Sequence, residues 1–317
     1  MRAFIFPGQG SQAVGMGKAL ADAFMPARDV FQEVDEALSQ NLSRLMWEGP
    51  ESDLILTENA QPAIMAAGMA VIRVLQRGAG LDFARHARLV AGHSLGEYTA
   101  LCAAGSFTLA DTARLLKTRG RAMQDAVPVG VGAMIALIGA DVAMAEEAVK
   151  EAVAQAVEAD PVCVVANDNA PGQVVISGLK ATVDRAGEIA KTKGVKRVLP
   201  LAVSAPFHCP LMRPAADKMA EALAAVMIRP PAVPLIANVT AADTNEPETI
   251  RRLLVEQVTE RVRWRESVLA FRAAGVELTV EAGGNKVLTG MVRRIDKELA
   301  TVALDGAADI ETFARTL

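Results

Sequence analysis

Short apolar runs alternate with longer segments of helical period along this chain. Ala3-Phe4-Ile5-Phe6 is a compact apolar run that reads as a strand, and helix-period segments follow over residues 18–24, 26–40 and 62–75. A second strand-like run covers residues 89–94 and opens with Leu89-Val90-Ala91. Strand-like groups return late, at residues 234–239 and 278–281, each beside a helical pattern. Strands that alternate with helices predict a parallel sheet covered by helices.

Between these halves the pattern changes. After the Gly/Pro-rich stretch of residues 125–132, which reads as a hinge, the chain predicts strand at 133–138, helix at 142–157, strand at 162–167, strand at 173–177, helix at 181–193 and strand at 197–201. This β-α-β-β-α-β run resembles a ferredoxin-like unit. It is too short to be the main core, but it can form one wall of a cleft, where ligands are commonly held. We therefore expect a large domain split into residues 1–128 and 203–317, with an inserted small domain over residues 129–202.

Composition narrows the function classes. The chain has 317 residues, 51% of them hydrophobic, enough for a large buried core. Its longest uncharged stretches, such as residues 126–140 and 59–72, are shorter than the roughly 20 residues needed to span a bilayer. The first residues read as a strand leading into a Pro7-Gly8 turn rather than as a signal peptide, so a cytoplasmic protein is expected. Cys102, Cys163 and Cys209 lack the paired spacing of a zinc site, so no metal is expected and the thiols read as reduced. A net charge of −4 with 4% aromatic residues offers neither a global basic surface nor a stacking platform for nucleic acid.

The chemistry concentrates at Gly92-His93-Ser94-Leu95-Gly96. A buried strand before it and a helix after it give the context of a G-x-S-x-G nucleophile elbow, which holds a serine oxygen clear of the sheet. The first amides of the following helix are free to hold a developing oxyanion. Acyl chemistry is the reading that follows, against the alternative of a chance glycine-serine pattern. A serine needs a base, and the chain has three histidines. His86 lies in the charged segment Arg85-His86-Ala87-Arg88 and reads as a surface residue. His93, next to Ser94 on an extended segment, points away from it and packs or hydrogen-bonds beneath the turn. His208 lies in the proline-bracketed loop Ser204-Ala205-Pro206-Phe207-His208-Cys209-Pro210 and is the candidate base, with a capping or core role as the alternative. No third acid is evident, and the long stretch of chain after His208 fits ordinary lipase order poorly. The loop Gly8-Gln9-Gly10-Ser11-Gln12 follows the first strand; it reads as a second oxyanion donor through Gln9 or simply as a tight turn. Arg114, Lys117 and Arg121 read as a solvated helix face, which Arg119 does not share.

Taken together, Gly8-Gln9-Gly10-Ser11-Gln12, Gly92-His93-Ser94-Leu95-Gly96-Glu97-Tyr98, Arg119-Gly120-Arg121-Ala122-Met123-Gln124, Asn167-Asp168-Asn169-Ala170-Pro171-Gly172-Gln173, Phe207-His208 and Glu281-Ala282-Gly283-Gly284-Asn285 resemble, in this order, the malonyl-CoA:acyl carrier protein transacylases. The resemblance covers nearly the whole chain. It implies an α/β fold, with a hydrolase-like core of parallel sheet flanked by helices plus the ferredoxin-like insert. It also implies a malonyltransferase of fatty acid biosynthesis, in which malonyl-CoA acylates Ser94 and acyl carrier protein then takes the malonyl group on its phosphopantetheine thiol. His208 would be base and acid, the backbone amides of Gln9 and Leu95 the oxyanion hole, Arg119 the carboxylate clamp, and the Gln257 main-chain carbonyl the group that orients His208. Asn167 would line the small domain's side of the cleft. Phe207, where related stand-alone enzymes often carry Ser, goes with malonyl rather than methylmalonyl in the related polyketide domains.

No cofactor, nucleic acid or membrane enters this reading. A monomer is expected, meeting its acidic carrier through basic candidates such as Lys191, Lys193, Lys196, Arg197, Arg293 and Arg294. A hydrolase and a non-catalytic carrier-docking subunit remain the competing readings.

Overall fold

A computed structural model of the chain describes residues 1–203 and 205–317; Ser204, the first residue of the His208 loop, lies outside them. Ten strands occur among the described residues: β1 (Arg2–Phe6), β2 (Leu89–Gly92), β3 (Gly132–Ile138), β4 (Cys163–Ala170), β5 (Gln173–Leu179), β6 (Arg197–Pro200), β7 (Leu235–Ile236), β8 (Asp243–Thr244), β9 (Leu278–Ala282) and β10 (Ala300–Leu304). They form two sheets. The larger has the order β10-β9-β1-β2-β7-β8 and is parallel from β10 to β7, with β8 antiparallel at its edge.

The central strands β9, β1, β2 and β7 of the larger sheet are buried on both faces, as parallel sheets are, while the edge strands β10 and β8 are partly exposed. Side chains alternate along β1, so Phe4 and Phe6 join the core beneath the helix Thr57–Ala79, while Ala3 and Ile5 pack with Trp264, Val268 and Phe271 on the other side. That helix begins five residues before the expected segment and carries Pro62 inside it. Three further expectations are adjusted. Residues 234–239 keep only the two-residue β7 as strand, with Asn238 turned to hydrogen-bonding work instead. The edge strand β10 lies outside the expected elements, because its short mixed run Ala300–Leu304 is organised by pairing with β9. Strand β2 stops at Gly92, two residues before the expected end.

The smaller sheet has the order β4-β5-β3-β6 and is antiparallel throughout. Helices Val142–Ala154 and Lys180–Thr192 cover one face, over Ile135, Leu137, Val165 and Ile176. Met134, Ala136, Ala166 and Val175 on its other face join the core shared with the large sheet. Strand β4 is also fastened to the later chain. Asp168 N donates to Val262 O, Val262 N donates to Ala166 O, and the buried Asp168 carboxylate pairs with Arg265 at 2.8 Å.

In parallel sheets of this kind ligands sit beyond the carboxyl ends of the strands. Register pairs Phe6 with Gly92, so the loops after β1 and β2 emerge side by side. The cleft opens there.

Candidate active site

The turn after β2 is shaped by close backbone contacts. A Cβ on Gly92 would fall 1.9 Å from the carbonyl of Gly96, and one on Gly96 would fall 2.2 Å from Phe6 O. Both positions therefore demand glycine, and the chain between them swings Ser94 into the left-handed region at φ 53°. Ser94 thus lies on a turn and not on the extended chain expected there, so strand alternation is not what separates the His93 and Ser94 side chains. His93 Nε2 meets Asn169 Oδ1 of β4 at 2.8 Å, which ties the elbow to the smaller sheet.

His208 reaches the serine from the opposite side of the cleft. It too has a left-handed backbone, at φ 57°. Its Nδ1 donates to Gln257 O at 2.9 Å; a carbonyl can only accept, so that nitrogen carries the proton. In the neutral ring Nε2 is then an acceptor, and Ser94 Oγ donates to it at 2.8 Å. Burial, with the Arg119 charge next in effect, pushes the His208 pKa down to about 3, so the ring is neutral and able to take a proton at neutral pH.

Arg119 is 1% exposed despite its charge. Its Nη1 donates to Gln61 Oε1 at 2.9 Å, and its Nη2 to Gln257 Oε1 at 2.8 Å and to Ser94 Oγ at 3.1 Å. The guanidinium lies over the Tyr98 ring, 5.7 Å from its centre. Gly120 allows this close approach of the helix Leu109–Asp125 to the helix Thr57–Ala79, because a Cβ there would meet Thr57 O at 2.5 Å. Lys117, expected on a solvated face, is instead largely covered and pairs with Glu58 at 2.9 Å, while Arg114 and Arg121 remain exposed.

Ser94, His208, Arg119, Gln9, Leu95, Asn167 and Phe207 all line one cleft of about 490 Å³ between the two sheets. Neither the Gln9 nor the Leu95 backbone amide has an acceptor among the described residues, whereas the Gln9 side chain is held by Thr57 Oγ1 at 3.3 Å. His86 stands apart, at the other end of β2, where its Nδ1 accepts from Asp82 N. Of the basic candidates, Lys191 pairs with Glu188 and Lys193 with Glu151, while Lys196, Arg197, Arg293 and Arg294 have no ion pair among the described residues. No group of three or more His, Cys, Asp or Glu side chains that could hold a metal occurs among the described residues. No helix there is long and apolar enough to cross a membrane.

Sequence reasoning missed the groups that hold these side chains in place. Gln61, Asn238 and Glu97 are buried around Ser94 and Arg119. Ser94 N donates to Asn238 Oδ1 at 2.7 Å, and Asn238 Nδ2 donates to Gly92 O at 2.7 Å, so one amide braces both sides of the elbow. The sequence points to Gln257 through its main chain alone. Its side chain is equally engaged, with Nε2 donating to Ser94 O at 3.0 Å and to Glu97 Oε2 at 2.7 Å.

Comparison with known proteins agrees with this architecture. The family described as Acyl transferase domain matches residues 3–311. The malonyl CoA-acyl carrier protein transacylase of Bacillus subtilis (strain 168) is 43% identical over 316 residues, covering 99% of this chain and 96% of that protein. The crystal structure of an acyl-carrier-protein-S-malonyltransferase from Bartonella henselae superposes with a TM-score of 0.95 at 52% identity, covering 99% of this chain and 98% of the other. A malonyl-transacylase in complex with its type II PKS acyl-carrier protein superposes with a TM-score of 0.94 at 42% identity, covering 100% of this chain and 99% of the other. With its fold and nearly its whole length matched in this way, the chain belongs to the acyl transferase domain family, among its malonyl-CoA:acyl carrier protein transacylases.

Proposed function

We propose that this chain transfers the malonyl group from malonyl-CoA to the phosphopantetheine thiol of acyl carrier protein through a malonyl-Ser94 intermediate, supplying extender units for fatty acid synthesis. The observation that carries the reading is the position of one hydroxyl, Ser94 Oγ, 2.8 Å from a neutral imidazole nitrogen and 3.1 Å from a buried guanidinium. A base beside the nucleophile suits acyl transfer in general. A buried two-pronged cation beside it suits an acyl group that carries its own carboxylate.

The steps follow from these groups. Ser94 Oγ attacks the thioester carbonyl of malonyl-CoA while its proton passes to His208 Nε2. The oxyanion is held by the backbone amides of Gln9 and Leu95. As the C–S bond breaks, the imidazolium returns the proton to the CoA sulfur. The carrier thiol then gives its proton to His208, attacks the acyl-serine, and regenerates the Ser94 hydroxyl. The Gln257 carbonyl keeps the ring oriented and stabilises its charged form, in the place of a third acid. Arg119 receives the malonyl carboxylate, with Asn167 and Phe207 bounding the space around it. Malonyl-CoA is a substrate here, and no resident cofactor takes part.

In this reading residues 1–128 and 203–317 form the hydrolase-like catalytic domain, and residues 129–202 a ferredoxin-like insert that supplies the second wall of the cleft. The β-α-β-β-α-β order of the insert supports that description. The decisive experiment mixes protein, malonyl-CoA and holo acyl carrier protein, then measures malonyl carrier and free malonate by mass spectrometry. Malonyl carrier as the main product supports transfer. Free malonate as the main product overturns it in favour of hydrolysis, and neither product would leave only a docking role.

A further inference from the structure

Among the described residues, Glu97 is the one buried carboxylate in direct contact with the groups around Ser94, and the steps above make no use of it. It lies in the first turn of the helix Gly96–Ala103, is 1% exposed, and forms no ion pair among the described residues. Its Oε2 accepts from Gln257 Nε2 at 2.7 Å and from Asn238 N at 3.1 Å. The same Gln257 amide presents Oε1 to Arg119 Nη2 at 2.8 Å.

These contacts fix the sense of an amide that could otherwise turn over. Glu97 Oε2 and Ser94 O lie on one side of the Gln257 side chain, and each of them accepts; Arg119, on the other side, can only donate. The amide is therefore held with its nitrogen toward Glu97 and its oxygen toward the guanidinium. Of the two acceptors, Glu97 is the closer and the stronger, at 2.7 Å against 3.0 Å. Without it the Gln257 amide loses the stronger of its two acceptors and is held on that side by Ser94 O alone.

We propose that Glu97 is a positioning residue for acyl selectivity: through Gln257 it holds the Arg119 guanidinium in the orientation that receives the carboxylate of the incoming acyl group. The proposal rests on the malonyl-transfer reading. One oxygen acceptor on residue 97 is sufficient for it, because only Oε2 makes these contacts. Asn238 N secures that oxygen, so the carboxyl is itself held rather than free to rotate. Burial raises the Glu97 pKa to about 7, and a proton on the other oxygen leaves Oε2 accepting, so the brace persists in both protonation states.

The test compares kcat and KM for malonyl-CoA and acetyl-CoA, with the same holo carrier, in wild type, Glu97→Gln and Glu97→Leu. Acetyl transfer uses Ser94 and His208 without offering Arg119 a carboxylate, so it reports general damage. Removing a strong buried hydrogen bond should lower the malonyl-to-acetyl ratio of kcat/KM by about tenfold or more in Glu97→Leu, mainly through KM for malonyl-CoA. Glu97→Gln, which keeps an acceptor oxygen, should restore most of that ratio. Gln257→Met is the second variant should Glu97→Leu fail to fold, and it should show the same fall, since it breaks the chain at its middle and leaves the main-chain carbonyl on His208. A ratio unchanged in either folded variant overturns the proposal, as does a Gln variant as unselective as the Leu variant. Absence of malonyl transfer in wild type would instead overturn the functional reading beneath it.

Discussion

His208 and Gln257 are joined through the main chain, Nδ1 to O at 2.9 Å, while the Gln257 side chain runs the other way to Arg119. One residue thus sets the tautomer of His208 and accepts from the Arg119 guanidinium, on either side of Ser94. A neutral carbonyl rather than a carboxylate fixes the His208 ring, and burial holds its pKa down at about 3.

Brief exposure to malonyl-CoA should add one malonyl group to the intact protein, on Ser94, and Ser94→Ala should carry none. His208→Ala should remain folded and lose several orders of magnitude in acylation rate, whereas His86→Ala should be nearly silent. Intact-mass kinetics read both. Label on the Ser94→Ala protein, or equal loss from the two histidine changes, would count against the assignment.

Arg119→Ala should lose about thirtyfold to a thousandfold in kcat/KM for malonyl-CoA, the worth of a charge-assisted two-pronged contact. Acetyl-CoA makes no such contact, so its transfer should hold steady or improve. A parallel decline for both substrates would mean that Arg119 is structural.

The pKa of Glu97 gives a stability test with a definite sign. Because burial raises it from 4.5 to about 7, the folded protein holds a proton between those values that the unfolded chain releases. The favourable contribution of this group is complete below pH 4.5 and is lost as pH rises toward 7. Glu97→Gln lacks the titration, so its stability relative to wild type should increase across that interval in urea titrations. A constant difference would refute the shift.

Two glycines should respond oppositely to alanine. Gly96→Ala places a Cβ 2.2 Å from Phe6 O, between β1 and the elbow, and should prevent folding or cost on the order of 3 kcal/mol or more. Gly78 is exposed in the helix Thr57–Ala79, with nothing within 4 Å of where a Cβ would stand, and should gain about 0.5–1 kcal/mol as alanine. Thermal unfolding of the purified variants separates the two.

Association with the acidic carrier should weaken as salt rises, with KM for the carrier increasing more than KM for malonyl-CoA. Lys196, Arg197, Arg293 and Arg294 should contribute more than Lys191 or Lys193, whose charges are already matched by neighbouring glutamates. Charge-reversal at each position, read as carrier KM, checks the ranking.

What the amino-acid order determined by itself was local. Alternation along Ala3-Phe4-Ile5-Phe6, helical period in the segments between strands, and the glycines flanking Ser94 are properties of neighbours in sequence, and each could be read before any contact was known. The tertiary structure decided what required distant chain to meet. Strand β10 exists because β9 offers it a ladder, and Lys117 is covered because Glu58 comes to it. Arg119 meets Gln61 and Gln257 across 58 and 138 residues of chain, and no periodicity encodes such separations. Glu97 and Asn238 look like ordinary polar residues in sequence. Burial beside a serine and a cation turns them into structural hydrogen-bonding partners, because a polar group withdrawn from water must find its partner within the fold.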